Sequence, residues 1–376
     1  GVAPLIPSYK RAFDLTESAS GLVLTLASLG IMIASLSAAA VTRRMAPRPL
    51  TIAGLGVVAL SDVIMALATN YPTIITARMV FGMGFGMMWI CMTAWLDDAA
   101  GDQSARVLAG TTAVVGIGGL LGPGYAGAMA ERFGLAAPFV GLAVITFVLV
   151  ALLLLDRSGT GMAKDPAPPL REFLGAGGRD PDLRTMVVLL VAASLVWLTT
   201  DLLVPLRLAD HGLNAEQIGI LFTGGSLVFV LSSTVAARMA DRWTSTRIAA
   251  TMTGLTGLAA ILPATSNAVA PALMFLVLAC VTTGVSISLT FPFGLLAVDR
   301  GAVTVAVMSA MGSMIWAVSG IVAPITAGAV AQWGGDRFAF AGLVVLCLGA
   351  ALVTARFRGD AARLTASTGN EATSAA

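Results

Sequence analysis

Residues 135–155 read LAAPFVGLAVITFVLVALLLL, 21 residues with no ionisable side chain and a single hydroxyl, that of Thr146. About 20 apolar residues cover the hydrocarbon core of a bilayer as an α-helix. Backbone groups in lipid must be paired within the segment, so a run this long is a helix. Strands of a membrane barrel instead alternate over about 10 residues. Outward from this run, ten more segments qualify: 19–41, 49–69, 73–95, 107–130, 185–207, 217–238, 248–266, 270–295, 303–331 and 337–355. The fold class they predict is all-α and integral to the membrane. The chain opens with GVAPLIPSYKRAF, which reads as the last turns of a hydrophobic helix and its exit, so residues 1–8 are expected to be the stub of a twelfth span.

Composition agrees. Of 376 residues 57% are hydrophobic and 11% charged, against about 25% charged in a soluble domain, and mean hydropathy is +0.90. A net charge of +2 gives no reason to expect a nucleic-acid partner. The three cysteines, Cys91, Cys280 and Cys347, sit inside apolar runs, and the one histidine is His211. A structural zinc site and a His-based catalytic triad are therefore not expected, and neither a metal nor a cofactor is called for.

Directly after residue 155 lies the longest polar stretch, 156–184, containing DPAPP and GAGGRDPD, the composition of a linker. The expected organisation is an N-terminal helical bundle over 1–155 with its first span truncated, and a cytoplasmic linker over 156–184. A C-terminal six-helix bundle then covers 185–358, and a disordered cytoplasmic tail 359–376. Positive residues fall unevenly between the two sets of loops. One set holds 16: Arg43, Arg44, Arg48, Arg106, Arg157, Lys164, Arg171, Arg179, Arg184, Arg238, Arg242, Arg247, Arg300, Arg356, Arg358 and Arg363. The other holds five: Lys10, Arg11, Arg132, Arg207 and Arg337. The first set is expected in the cytoplasm, with both termini of the complete protein on that side. Arginine outnumbers lysine by 20 to 2 and alanine is abundant, as in GC-rich bacteria, so the expected location is a bacterial cell (inner) membrane.

The two halves repeat at an offset near 200. Pro7 and Gly21 match Pro205 and Gly219; Thr42-Arg43 matches Asp241-Arg242; Asp97 matches Asp299; Gly122-Pro123-x2-Ala126-Gly127 matches Ala323-Pro324-x2-Ala327-Gly328. Parallel repeats about an axis normal to the membrane are a transporter design with the site between them.

Residues 118–127 read GGLLGPGYAG. They resemble the fifth-span antiporter motif of the major facilitator superfamily, Gly-x3-Gly-Pro-x2-Gly-Gly, through Gly118, Gly122, Pro123 and Gly127, with Ala126 replacing one glycine. Glycines let helices approach closely and proline permits a bend. Arg78-x3-Gly82 resembles the fourth-span Arg-x3-Gly motif. The loop after the family's second span carries Gly-x3-Asp-Arg; Ala237-x3-Asp241-Arg242 keeps its acid–base pair and Ala38-x3-Thr42-Arg43 has lost the acid. The chain thus resembles the twelve-span drug:proton antiporter branch, whose fold is two pseudo-symmetric six-helix bundles.

That resemblance implies roles. The fifth-span motif marks antiporters and seals the cavity in the cytoplasmic-closed state. Arg78 is linked to proton coupling, on a helix that lines the cavity; the alternative is a packing or snorkelling arginine. Its face continues through Gly82, Phe85, Trp89 and Met92. Arg43, Asp97, Asp98, Asp241, Arg242 and Asp299 would form a cytoplasmic latch, or merely carry the positive-inside signal. Asp201, in WLTTDLLVP on the cavity-lining seventh span, is the candidate proton carrier, or a hydrated acid at the mouth. Asp62 in the peripheral third span reads as structural, facing Arg78. Trp89, Trp197, Trp316 and Phe291 could wall the cavity, and the methionines of the fourth span suit apolar ligands or lipid.

The function implied is proton-coupled efflux of small amphipathic or lipophilic compounds by a monomer that meets substrate, protons and the lipid bilayer. Uptake or facilitated transport of a metabolite is the alternative, against which the antiporter motif speaks. A membrane enzyme should show clustered His, Cys or paired acids in its spans, and a sensor an appended soluble domain. Orientation is directly testable. A single cysteine replacing His211 in a cysteine-free background is expected to react with an impermeant thiol reagent added outside; reaction only after membrane disruption would overturn the orientation.

Overall fold

Apolar runs bounded by proline, glycine and short polar turns fold as uninterrupted helices. The computed structural model describes residues 2–41, 45–100, 104–155, 180–239 and 245–356, with side chains except at 38–41, 97–100, 104–113, 115, 305 and 306. A short 3-10 turn, Ala3–Leu5, runs into α1 (Ile6–Ala12). Then come α2 (Glu17–Val41), α3 (Pro47–Ala66), α4 (Tyr71–Ala100), α5 (Ser104–Phe133) and α6 (Ala137–Leu155). After the linker come α7 (Pro181–Asp210), α8 (Ala215–Arg238), α9 (Thr246–Thr265), α10 (Val269–Asp299), α11 (Val305–Gly334) and α12 (Asp336–Arg356). No β-strand occurs among the described residues. Among the described residues, ten helices are long and apolar enough to cross a membrane. The expected eleventh span falls on α5, which is 30 residues long.

The helices outrun the apolar windows. α4 continues to Ala100 rather than ending at 95, because a helix satisfies its own backbone past the last apolar side chain. The expected linker ends earlier than 184. Asp180 accepts the N–H groups of Asp182 at 2.9 Å and Leu183 at 3.1 Å, and Pro181 takes the first helical position, so α7 starts there. The rest of the linker, 156–179, and the tail, 359–376, lie outside the described residues. The turns after α5 and α11 each use a glycine at φ +89°, Gly134 and Gly335, the left-handed stop that glycine adopts without penalty.

The described helices form two compact units. The first contains α1 to α6, the last part of α7 from Leu198, α8 up to Leu227 and α11 from Trp316. In it α4 lies between α2 and α3, touching both through glycines. A Cβ on Gly30 of α2 would fall 2.8 Å from the Met83 nitrogen, and one on Gly84 would fall 2.8 Å from the Val58 nitrogen of α3. Ser61 donates to the Ala77 carbonyl at 2.8 Å, fixing the register of α3 on α4. Arg48 at the start of α3 donates to the Leu153 carbonyl at 2.7 Å, covering the last turn of α6.

The second unit contains the first part of α7, the end of α8, all of α9 and α10, the start of α11 and α12 from Arg337. Its core joins Leu183, Met186 and Leu189 of α7 to Val285, Leu289 and Phe293 of α10 and Met308 and Met311 of α11. A charged clamp closes one end. Arg300, one residue past α10, reaches Asp180 through Nη2 at 2.8 Å and fully buried Asp182 through Nη1 at 2.7 Å. Burial pushes the Asp180 carboxyl up, but the Leu183 and Asp182 N–H groups and the Arg300 guanidinium overcome it and hold the group below its usual range.

The sign of the pH effect follows. A depressed carboxylate adds stability above its unfolded value of about 3.9, and that stability is lost as pH falls through the lower folded value. Between pH 5 and 8 the clamp is therefore expected to be pH-independent. Asp180→Ala, losing cap and charge, should lower thermal stability by about 1–2 kcal/mol. Asp180→Asn, which can still cap, should lose less. Equal melting temperatures for the three proteins in detergent would show that the clamp holds nothing.

Candidate functional site

α4 places its side chains on three sides. Gly82 and Gly86 meet α2, where a Cβ on Gly86 would fall 2.9 Å from the Ala34 Cβ, and Gly84 meets α3. The remaining side carries an aromatic ladder at one-turn spacing. Phe81 and Phe85 stack at 5.8 Å between ring centroids, and Phe85 and Trp89 at 6.1 Å. All three rings are half-buried. Arg78 closes one end, its guanidinium carbon 4.9 Å from the Phe81 centroid, close enough for a cation–π attraction. Its Nε donates to the Val23 carbonyl of α2 at 3.1 Å. Asp62 of α3 and Tyr9 of α1 lie within electrostatic reach of it, and Asp62 is only 5% exposed. The stripe from Arg78 to Trp89 spans 11 residues, about 16 Å of helix. Gly82, expected on the same face, is instead spent on the α2 contact.

The fifth-span motif divides in two. Gly118 and Gly119 have nothing within 4 Å of a Cβ, and Gly122 is half-buried. The Pro123–Gly127 part packs on the start of α8. The Gly124 N–H donates to Thr223 Oγ1 at 2.9 Å. A Cβ on Gly219 would fall 2.6 Å from the Pro123 carbonyl, and one on Gly127 would overlap the Ala215 carbonyl. Arg132 and Glu216 pair at the rim. This contact lies where α5 ends and α8 begins, the end that the charge pattern puts outside.

α2 and α11 repeat the contact. A Cβ on Gly21 would overlap the Pro324 carbonyl, and one on Gly328 would fall 2.7 Å from the Glu17 carbonyl. Thr25 donates to the Ile321 carbonyl at 3.4 Å.

Asp201 is half-buried on α7, next to buried Thr199 and Thr200. Trp197, one turn earlier, meets Phe229 edge-on at 4.8 Å. Phe291 is 60% exposed, while Phe293 two residues on is in the core. Of the latch candidates, Arg43, Asp241 and Arg242 lie outside the described residues. Asp97 and Asp98 fall in the last turn of α4, with side chains outside the description. Asp299 ends α10 and is exposed.

A family model described as Major Facilitator Superfamily matches residues 1–321. The chain belongs to the Major Facilitator Superfamily. Among curated relatives, the quinolone resistance protein NorA of Staphylococcus aureus (strain MSSA476) is 26% identical over 232 residues, 60% of this chain and 59% of NorA. Multidrug resistance protein 2 of Bacillus subtilis (strain 168) is 24% identical over 148 residues, 39% of this chain and 37% of that protein. The chain thus matches less than two thirds of the length of these relatives. Among solved structures, an inward-facing, unoccupied bacterial homolog of the human lysosomal transporter Spinster superposes with a TM-score of 0.78 at 12% identity. That match covers 95% of this chain and 93% of the other.

The protein is therefore a multi-pass membrane protein of this superfamily, with an all-α fold. Sequence reasoning missed Phe81, although the spacing Phe81-x3-Phe85-x3-Trp89 was there to find. It also missed Asp180 and Asp182 as the partners of Arg300: they sat in a charged stretch read as linker, 120 residues away from it in sequence.

The glycine contacts separate two halves of the motif experimentally. Gly127→Ala and Gly219→Ala insert a methyl where a carbonyl stands, and overpacking of this kind costs about 1–3 kcal/mol. Both should shift cysteine accessibility toward opening of the α5–α8 contact and reduce transport per molecule. Gly118→Ala, with open space around it, should change neither. Three variants indistinguishable from the parent would remove the contact from the transport cycle.

Proposed function

We propose that the protein is a proton-coupled exporter of small amphipathic or lipophilic compounds, working by alternating access. The observation that carries this reading is the half-buried stripe of Phe81, Phe85 and Trp89 on the side of α4 away from its glycine contacts with α2 and α3, with Arg78 at its end. Parallel aromatic faces attract flat apolar molecules and organic cations without demanding one exact hydrogen-bond pattern. Such a surface suits promiscuous export better than uptake of one polar metabolite. The half-buried methionines Met79, Met87, Met88 and Met92 of the same helix add adaptable, polarisable surface. NorA and multidrug resistance protein 2 are named for resistance to quinolones and to multiple drugs, and the pseudo-repeated glycine contacts supply a surface that can part and re-form.

In this reading the end where α5 meets α8 faces outward, the linker and both termini of the complete protein are cytoplasmic, and the membrane is a bacterial cell membrane. The protein acts as a monomer on substrate and protons. Asp201 carries a proton, which an arriving cation expels. Arg43, Asp97, Asp98, Asp241, Arg242 and Asp299 latch the cytoplasmic ends.

Export is read from accumulation of a fluorescent lipophilic dye, ethidium, in energised cells with and without the protein. Lower accumulation with it, abolished by a protonophore, is the expected result. Equal accumulation would sink the efflux reading. In proteoliposomes Asp201→Asn is expected to abolish transport driven by an imposed pH gradient while exchange persists; full gradient-driven transport by that variant would remove Asp201 from the coupling.

A further inference from the structure

Where the start of α3 meets the last turns of α4 and α6, two hydrogen-bond donors lie buried with nothing to bind. We propose that these donors, on Arg48 and Trp95, hold the phosphate of an anionic phospholipid whose acyl chains lie along α6. The inference does not depend on the compound transported or on the direction of transport.

Arg48 is the second residue of α3, directly after Pro47, and so sits at the positive end of the helix dipole. The N-cap residue, Ala46, supplies no side-chain acceptor, and the first turn contains no acid. A cation at this end of a helix is disfavoured, whereas an anion there meets both charges. Arg48 forms no ion pair among the described residues, and its Nη2 donates to the Leu153 carbonyl at 2.7 Å. Its Nε is buried without a partner. The guanidinium carbon lies 6.0 Å from the centroid of the Trp95 ring. Trp95 is 9% exposed, and its indole Nε1 is also buried without a partner. Two neighbouring donors are thus unspent, in a setting that is positive and offers no acceptor. Unpaired buried donors are costly, and a phosphate, with several charged oxygens, satisfies more than one at once.

The surroundings say where the phosphate comes from. The carbonyl that Arg48 binds belongs to the last turn of α6, whose outer side is apolar and bare. Ile145, Val148, Leu152 and Leu155 follow one another at spacings of three and four and are each more than half exposed. That stripe suits an acyl chain and ends beside Arg48. Free phosphate would use the donors alone, whereas a phospholipid uses donors and stripe together. A lipid of net negative charge fits better than a zwitterion, which would bring a second cation to a site already positive. Basic pockets between spans bind anionic head groups in this way. Arg48 is half-buried, so its side chain can turn toward a phosphate without movement of a helix backbone. A bound lipid would tie the ends of α3, α4 and α6 to one another.

The test uses the full chain purified in detergent, with phosphatidylglycerol as probe and with melting temperature and native mass spectrometry as readouts. Phosphatidylglycerol is expected to raise the melting temperature as the site fills. Phosphatidylcholine with the same chains and inorganic phosphate should each bind at least about tenfold more weakly. Trp95→Phe keeps the ring and removes the N–H, and should weaken phosphatidylglycerol binding about three- to tenfold; Arg48→Gln should weaken it at least about tenfold. Arg247→Gln, which removes an exposed arginine of α9, should leave it within about twofold. Unchanged binding in Trp95→Phe or in Arg48→Gln overturns the proposal. Equal response to phosphatidylcholine or to inorganic phosphate overturns it too, as does an equal loss in Arg247→Gln, which would mark diffuse attraction. If Arg48→Gln does not assemble for want of its bond to Leu153, Trp95→Phe decides: weaker binding supports the site and unchanged binding ends it.

Discussion

Everything in the fold depends on how closely helix backbones approach where lipid replaces water. No hydrophobic force pulls one apolar helix toward another in a bilayer, so contact rests on dispersion and on hydrogen bonds. Dispersion decays over a fraction of an ångström. Gly21 against the Pro324 carbonyl, Gly328 against Glu17, Gly219 against Pro123 and Gly127 against Ala215 place backbone on backbone, with no room for a Cβ. The four contacts are two copies of one arrangement: a helix start, Glu17–Gly21 or Ala215–Gly219, laid on a Pro-x3-Gly segment of a helix from the other half. The sequence repeat is thus a repeat of contacts.

The same rule organises α4 and creates the stripe by exclusion. Gly82 and Gly86 let α2 in, and Gly84 lets α3 in. With two sides spent on neighbours, large side chains are left for the third, where Phe81, Phe85 and Trp89 stack along one line. The glycines therefore determine where the aromatic stripe can exist, although none of them forms part of it. Arg78 is tolerated at this depth because it has a carbonyl, an aromatic face and a carboxylate around it.

Apolar runs made the helices legible, because only a helix can carry 20 apolar residues through lipid. The ends were less so. Hydropathy stops at the first charges, whereas α4 runs on through Asp97 and Asp98 to Ala100, and α7 starts at Pro181 in a stretch that reads as linker. In that second case the signal was local, an Asp180 cap followed by proline, but a Pro/Gly-rich surrounding drowned it. The repeated Gly-Pro and Ala-Pro segments were visible as letters. Their meaning was not, because pairing Gly127 with Ala215 requires the third dimension. Arg300 was legible only as a topological charge, and its clamp on Asp180 and Asp182 joins residues more than 100 positions apart in sequence.

The ion pairs follow a hierarchy that matches this division between what stays together and what parts. Arg207, 2% exposed, binds Asp336 at 2.6 Å, and Arg300 binds Asp180 and fully buried Asp182; both sets lie wholly in the second half of the chain. Lys10 and Glu17 lie wholly in the first. Breaking a buried pair leaves an uncompensated charge and costs about 3–5 kcal/mol. Arg132 and Glu216 bridge the halves, joining α5 to α8, and Arg132 is 63% exposed. An exposed pair contributes about 0–1 kcal/mol because water competes for both partners. The buried pairs thus tie together segments of the second half of the chain. Among the described residues, the contact between halves consists of close-packed glycines, hydrogen bonds such as Gly124 to Thr223 and Thr25 to Ile321, and one solvated ion pair.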